Sequence, residues 1–218
     1  MHLSVVIPLF NEEKSLDELY SSIVKTISKI NLKFEVIFID DGSKDDSWEI
    51  IKNIAKKYSN VKGIKFLRNF GKSQALSAGF KESTGEIVIT LDADLQDDPN
   101  EIESLYKLIK EENFDLVSGW KKKRYDSLIF KNLPSKLFNC VARITSGIKL
   151  NDFNCGIKAY KKDVVKKIKL TGGMHRYIPV LAKNIGFEKI SEKIVIHHPR
   201  NMEKQNLELI GLLKVSLT

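Results

Sequence analysis

Apolar and polar positions follow two alternating rhythms through the first half of the chain. Residues 3–9 form an apolar run of strand length, and residues 34–39, 61–66 and 87–91 repeat it. Between these runs the apolar residues recur at helical spacing. Leu16, Leu19, Ile23 and Ile27 predict a helix within 12–30, and Trp48, Ile51 and Ile54 predict one over 45–58. Residues 72–83 and 99–111 predict two more, with Pro99 near the first turn of the second. A fifth strand opens at 116–118.

Strand–helix alternation implies parallel strands joined by right-handed crossovers. The fold class is therefore α/β, a Rossmann-like, mostly parallel sheet flanked by helices. Ligands in such sheets bind beyond the carboxyl ends of the strands. Three polar clusters stand at predicted strand ends: Asn11-Glu12, Asp40-Asp41 and Asp92-Ala93-Asp94. They are expected to meet along one sheet edge.

The second half reads differently. Residues 135–146 place Leu137, Phe138, Val141 and Ile144 on one helical face, among Lys136 and Arg143. Such a face suits either packing on the sheet or a membrane interface. Short helices are expected at 163–168 and 175–185, the latter with Pro179 in its first turn, and a late strand at 190–197. No internal repeat, low-complexity tract or clear linker interrupts the chain.

Length and composition narrow the classes. At 218 residues, 42% hydrophobic and 29% charged, the chain suits one soluble globular domain. Its net charge of +8 is unevenly spread: residues 121–176 carry 15 Lys or Arg and 3 Asp or Glu. A basic block on a near-neutral body suits an anionic partner on one face, or a solvated lysine-rich surface. Nucleic acid is the disfavoured partner, because no recognised nucleic-acid motif occurs and acidic strand ends repel phosphate. Cys140 and Cys155 lack metal-ligand spacing and fit free thiols in a reducing compartment. The opening apolar run is short and contains Pro8, so no signal peptide is expected. No stretch reaches transmembrane length. The apolar residues 207–217 are too short to span and suit an interfacial segment.

The strand-end clusters carry candidate chemistry. Residues i and i+2 of extended backbone point the same way, so Asp92 and Asp94 can share a hard cation. Mg²⁺ takes one or two carboxylates and completes its shell with phosphate oxygens and water. Asp40 or Asp41 can accept hydrogen bonds from a base or ribose, while Ser43 or Asp45 can cap the next helix. Glu12 can meet a nucleotide or complement a helix dipole.

These segments resemble family 2 glycosyltransferases of the GT-A fold. The likeness runs in order through residues 5–13, 39–43, 69–79, 84–86, 91–99, 118–123, 151–160 and 174–182. It is strongest toward the polyprenyl-phosphate hexosyltransferases, through Asn154-Cys155-Gly156-Ile157-Lys158 and His175-Arg176-Tyr177-Ile178-Pro179. The resemblance implies a catalytic domain over residues 1–205 and a C-terminal amphipathic, interfacial segment over 206–218, a point after which relatives often carry membrane helices. It implies a metal-dependent, inverting transfer of a hexose from a UDP- or GDP-sugar to a polyprenyl (dolichyl or undecaprenyl) phosphate, with Mg²⁺ or Mn²⁺ as cofactor. Acceptors in polysaccharide assembly, or an inactive nucleotide-sugar-binding homologue, are the alternatives. Pro8, Phe10, Glu12, Ile39, Asp40, Asp41, Asp92, Ala93 and Gln96 would line the donor, and Asp92 and Asp94 would hold the metal. Lys121 would lie near the donor phosphate and sugar, and Asp152 matches a proposed base. Arg200 and Lys204 fall in a loop that closes over the diphosphate in relatives. That loop departs from their pattern, because Glu203 stands for a Gly and Asn206 for a Lys. The implied place is the cytoplasmic face of a membrane, as a peripheral protein or the soluble domain of an anchored one, with oligomeric state open.

Overall fold

The computed structural model describes residues 1–122 and 133–199, excepting the side chains of 133–138 and 140. Its strands are β1 (Leu3–Leu9), β2 (Phe34–Asp40), β3 (Val61–Lys65), β4 (Ile87–Thr90), β5 (Leu116–Trp120), β6 (Lys158–Lys161) and β7 (Ile190–Ile194). They make one sheet in the order β3-β2-β1-β4-β6-β5-β7. β6 runs antiparallel to β4 and β5; the other pairings are parallel. The helices are α1 (Leu16–Ser28), α2 (Ser47–Lys57), α3 (Lys72–Glu82), α4 (Glu101–Lys110), α5 (Leu133–Ser146), α6 (Lys162–Lys167) and α7 (Ile178–Asn184).

Strand periodicity divides the core into two layers. Val5 and Ile7 of β1 and Val36 and Phe38 of β2 pack against α1, α2 and α4. Val6, Ile37 and Ile39 point the other way, against Ala75, Leu76 and Phe80 of α3 and Ile178 of α7. Helix α3 lies very close to the sheet. A Cβ on Gly79 would stand 2.4 Å from Val6 and 2.8 Å from Ile39. Ile39 is therefore fully buried in the core beneath α3.

Two local readings change, and one left open between two alternatives narrows. Strand β6 lacks a predicted counterpart, because its Lys-Ala-Tyr-Lys sequence hides a buried lysine, Lys158. The helix expected at 175–185 divides into a 3₁₀ turn, Met174–Tyr177, and α7, whose first turn holds Pro179. On α5, Ala142 is buried while Val141 and Ile144 are 51% and 76% exposed. That face does not pack on the sheet at these two positions. Among the described residues, no helix is long and apolar enough to cross a membrane.

The amino edge of the sheet is tied by one buried carboxylate. Glu35 Oε1 accepts Ser4 Oγ at 2.7 Å, Thr84 N–H at 2.7 Å and Thr84 Oγ1 at 2.6 Å, while Lys62 pairs with Oε2 at 2.9 Å. Gly85 donates to Ser4 Oγ at 2.8 Å, and a Cβ there would meet Ser4 N at 2.5 Å. Burial opposes ionisation of Glu35, but the bonds from Thr84, Ser4 and Lys62 outweigh it and hold the carboxyl at about 2. A folded value below the unfolded 4.5 adds stability above that pH, which is lost as pH falls toward 2. Glu35→Gln is expected to cost about 1–3 kcal/mol at neutral pH. In urea unfolding, the gap from the wild type should close as pH drops from about 4.5 to about 2; a gap constant with pH would contradict this assignment.

Candidate active site

The β1 and β2 exit loops are stitched together by short polar residues. Asn11 N–H donates to Ser43 Oγ at 2.9 Å, Glu12 N–H to Ser47 Oγ at 3.0 Å and Glu13 N–H to Asp45 Oδ2 at 3.1 Å. Lys44 N–H returns to Asn11 Oδ1 at 2.8 Å. Ser43 thus serves the neighbouring loop rather than capping α2, while Asp45 also accepts Ser47 N–H at 3.1 Å. Helix α1 begins only at Leu16, so Glu12 precedes its first turn, and it lines a cleft.

That cleft, of about 340 Å³, lies at the carboxyl edge of the sheet. Pro8, Phe10 and Glu12 line it from β1, Asp41 from β2, and Asp92, Ala93 and Asp94 from β4. The three polar strand ends therefore converge as expected. Ile39, Asp40, Gln96, Lys121 and Asp152 lie outside its lining.

Each of those five has a visible occupation. Ile39 sits under Gly79, as described above. Asp40 is buried; its Oδ1 accepts Ser43 N–H at 2.8 Å and its Oδ2 has no hydrogen-bond partner among the described residues. Gln96 clasps the chain from β7, accepting His198 N–H on its carbonyl at 2.8 Å and donating its amide to His198 O at 3.3 Å. Lys121 Nζ lies 2.7 Å from Oδ1 of the fully buried Asp97. Asp152 is 2% exposed and accepts Asn154 N–H at 3.0 Å and, at 3.4 Å, Lys121 N–H. Arg200, Lys204 and residues 206–218 lie outside the described residues.

Asp92 and Asp94 lie beyond the end of strand β4. The strand ends at Thr90, Asp94 stands in a turn with Ala93, and Leu95 just after it takes a φ of 61°, a left-handed conformation costly for a leucine. Both still face the same cleft. Asp92 pairs with Lys72 through Oδ1. Burial penalises its charge, yet Lys72 first, then Lys121 and Lys158, keep its carboxyl well below the usual range. Gly156 makes room for it: a Cβ there would lie 2.3 Å from Asp92 Oδ2. Thr90 Oγ1 fixes that backbone by donating to Gly156 O at 2.7 Å.

Asp94 is the opposite case. Burial and then the nearby Asp92 charge raise its carboxyl above the ordinary value. Its contact is Gln96 N–H at 3.2 Å, and no described Lys or Arg forms an ion pair with it. A divalent cation is the charge that would reverse this. The described residues hold no cluster of three or more His, Cys, Asp or Glu able to ligate a metal. Two cleft-facing carboxylates nonetheless fit Mg²⁺ or Mn²⁺, whose remaining positions water and phosphate can fill.

Asn69, Gly71, Lys72 and Ala75 also line the cleft, though none was given a separate role from sequence. The available signal was topological: the β3–α3 loop leaves the same sheet edge as the other three. Asp41 holds it there, accepting Phe70 N–H at 2.7 Å and Gly71 N–H at 2.9 Å. Gly42, at φ 76°, lets the loop approach, since a Cβ would meet Arg68 C at 2.4 Å.

The mostly parallel sheet with its carboxyl-edge cleft is the GT-A architecture of solved glycosyltransferases. Glucosyl-3-phosphoglycerate synthase from Mycobacterium tuberculosis, solved with Mn²⁺, uridine diphosphate and phosphoglyceric acid, shares the fold. Its TM-score is 0.68 at 22% identity, over 94% of this chain and 73% of that one. The chain belongs to glycosyl transferase family 2, whose model matches residues 4–169. It is 35% identical to dodecaprenyl-phosphate galacturonate synthase of Rhizobium johnstonii, over 92% of this chain and 60% of that protein. It is 37% identical to undecaprenyl-phosphate 4-deoxy-4-formamido-L-arabinose transferase of Shewanella sediminis, over 99% of this chain and 66% of that protein. The chain thus spans about three-fifths to two-thirds of the length of these relatives.

The Gly156 contact gives a direct test. Gly156→Ala should displace the Asp92 carboxylate and weaken Mn²⁺ binding by about tenfold or more, as losses around metal ligands do. Free Mn²⁺ measured by electron paramagnetic resonance reads the change, and a thermal melt checks folding. Unchanged affinity in a folded variant would refute the seating role.

Proposed function

We propose that this chain is the catalytic domain of a metal-dependent, inverting glycosyltransferase that moves a sugar from a nucleoside diphosphate to a polyprenyl phosphate. The observation that carries the donor half is the meeting of Pro8, Phe10, Glu12, Asp41, Asp92, Ala93 and Asp94 in one cleft. The names of the two relatives support the acceptor half. UDP and GDP both suit the nucleotide end.

Asp92 and Asp94 would hold Mg²⁺ or Mn²⁺ against the diphosphate. A bound divalent cation supplies Lewis-acid neutralisation of the departing nucleoside diphosphate. Phe10, about 39% exposed, offers a ring face to the base, and Glu12 and Asp41 offer acceptors to base or ribose. Ile39 and Asp40 support that pocket from below. Gln96 supports it from the side, where it also receives the chain that leads toward Arg200. Arg200 and Lys204 are proposed to close over the diphosphate.

Asp152 and Lys121 act at the sugar end. A phosphate monoester is largely ionised near neutral pH, its second pKa being about 6, so such a nucleophile hardly needs a base. Asp152 is therefore assigned to positioning: its carboxylate holds the backbone of Lys121 and Asn154. Lys121 would leave Asp97 to meet the sugar–phosphate linkage. Asp152→Asn should lower kcat by about tenfold or more with little change in donor affinity, leaving the pH profile without a new titration. Loss of turnover together with loss of a carboxylate limb in the pH profile would reinstate Asp152 as base.

The exposed Val141 and Ile144 of α5, set among the basic residues of 121–176, support peripheral contact with an anionic membrane at its cytoplasmic face. Replacing both with Asp should release the chain from anionic vesicles in a flotation assay; unchanged flotation would remove α5 from the interface. The function as a whole is tested with a panel of nucleotide-sugars, Mg²⁺ or Mn²⁺, and polyprenyl phosphate. Turnover is expected only with metal, donor and lipid phosphate together. Failure of every donor to bind would refute it, and transfer to a glycan instead would replace the acceptor.

A further inference from the structure

Lys72 stands where helix stability gives it no reason to be. It is the first residue of α3, whose first turn has no acidic residue. A cation there opposes the positive end of the helix dipole. The backbone entering it is also unusual, with Gly71 at φ 92°. That entry is held by Asp41, whose two carboxylate oxygens accept the Phe70 and Gly71 N–H groups. A conformation costly in entropy and a cation unfavourably placed on its helix are together explained by one outcome: the ammonium reaches Oδ1 of Asp92. Both side chains are partly exposed, at 34% and 27%, and both line the cleft. The pair thus faces the ligand space, not the core.

We infer that Lys72 is a positioning residue that serves as the exchangeable counter-ion of Asp92. In the donor-free site it occupies the carboxylate oxygen that a metal requires. When a divalent cation arrives with a diphosphate, the ammonium leaves Asp92 and pairs with a phosphate oxygen in the same cleft. The diphosphate half of this exchange rests on the function proposed above; the competition with metal does not. Metal alone must displace Lys72 into solvent, whereas metal with nucleotide gives it a new anionic partner. Binding of the two is therefore cooperative, and by linkage each raises the affinity of the other by the same factor. Asp41 contributes at a distance, because the loop that carries Lys72 hangs from the nucleotide end of the cleft. The site accordingly favours metal and nucleoside diphosphate together over either one alone.

The test is a titration of Mn²⁺ followed by electron paramagnetic resonance, first without nucleotide and then with UDP or GDP, correcting for Mn²⁺ bound by free nucleotide. Wild type is compared with Lys72→Met, Lys72→Arg and Lys44→Met. The last removes one positive charge outside the cleft lining. Lys72→Met should bind Mn²⁺ alone about fivefold tighter or more, and the gain in Mn²⁺ affinity produced by nucleotide should shrink correspondingly. Lys72→Arg and Lys44→Met should stay within about twofold of wild type, since the first keeps the competitor and the second changes a charge outside the cleft lining. A thermal melt checks folding, and Lys72→Gln gives the same reading should the methionine variant not fold. Unchanged or weaker Mn²⁺ binding by Lys72→Met, with nucleotide coupling intact in the wild type, would overturn the exchange alone. An equal effect from Lys44→Met would overturn it too, by reducing it to net charge. Tighter Mn²⁺ binding by Lys72→Met and normal coupling, in a protein that transfers no sugar to polyprenyl phosphate, would support the exchange and refute only the proposed acceptor. A wild type whose Mn²⁺ affinity ignores both nucleotides would overturn the exchange and the donor assignment together.

Discussion

Mutual repulsion among carboxylates at one sheet edge is the constraint around which this protein is arranged. Asp40, Asp41, Asp92, Asp94 and Asp97 all leave β2 or β4 at their carboxyl ends, where neighbouring strands are held in parallel register. Each of the first three has its own relief. Asp40 takes the Ser43 N–H, Asp41 takes two N–H groups from the β3–α3 loop, and Asp92 takes Lys72. Asp97 takes Lys121. Asp94 alone has its carboxyl raised by burial and by Asp92. Asp41, Asp92 and Asp97 thus have described partners, whereas Asp40 keeps one buried oxygen without a hydrogen-bond partner among the described residues and Asp94 has no ion pair with a described Lys or Arg.

The two ends of the sheet meet burial of charge differently. At the amino edge, Glu35 is held by the Ser4 hydroxyl of β1, by Thr84 of the turn before β4 and by the Lys62 ammonium of β3. Such a closed network contributes stability and has no spare valence for a ligand. At the carboxyl edge the counter-charges are flexible lysine side chains that reach in from α3 and from the end of β5. Lysine can change partners without moving the backbone. A carboxylate bound mainly by hydroxyl and backbone donors at one end, and carboxylates paired with lysines at the other, let a stable sheet carry a ligand site.

Much of this was legible in the sequence because strand periodicity and strand-end acids are local features. The runs at 3–9, 34–39, 61–66 and 87–91 became β1 to β4 with small shifts at their ends, and the three polar strand ends came together as topology requires. The less legible features depend on distant partners. Lys158–Lys161 does not read as a strand, because a lysine is buried there only once the Asp92 and Asp152 loops surround it. Lys72 reads as an ordinary surface residue of a helix until Asp41 fixes the loop before it. Asp92 and Asp94 were paired on extended-strand geometry, whereas β4 ends at Thr90 and both line the cleft from the segment beyond it. Gly156 and Gly79 are meaningful only through what a Cβ would strike, Asp92 in one case and Val6 in the other.

The central claim is that Asp92 and Asp94 join a divalent cation to the diphosphate of a bound nucleotide. A crystal grown with Mn²⁺ and UDP or GDP, with the metal located by its anomalous scattering, tests it most directly. The account predicts the anomalous peak within bonding distance of both aspartates and of diphosphate oxygens, with Lys72 withdrawn from Asp92. A bound nucleotide with its metal away from these two residues would contradict it, while a metal at these residues with the Lys72–Asp92 pair intact would contradict only the exchange.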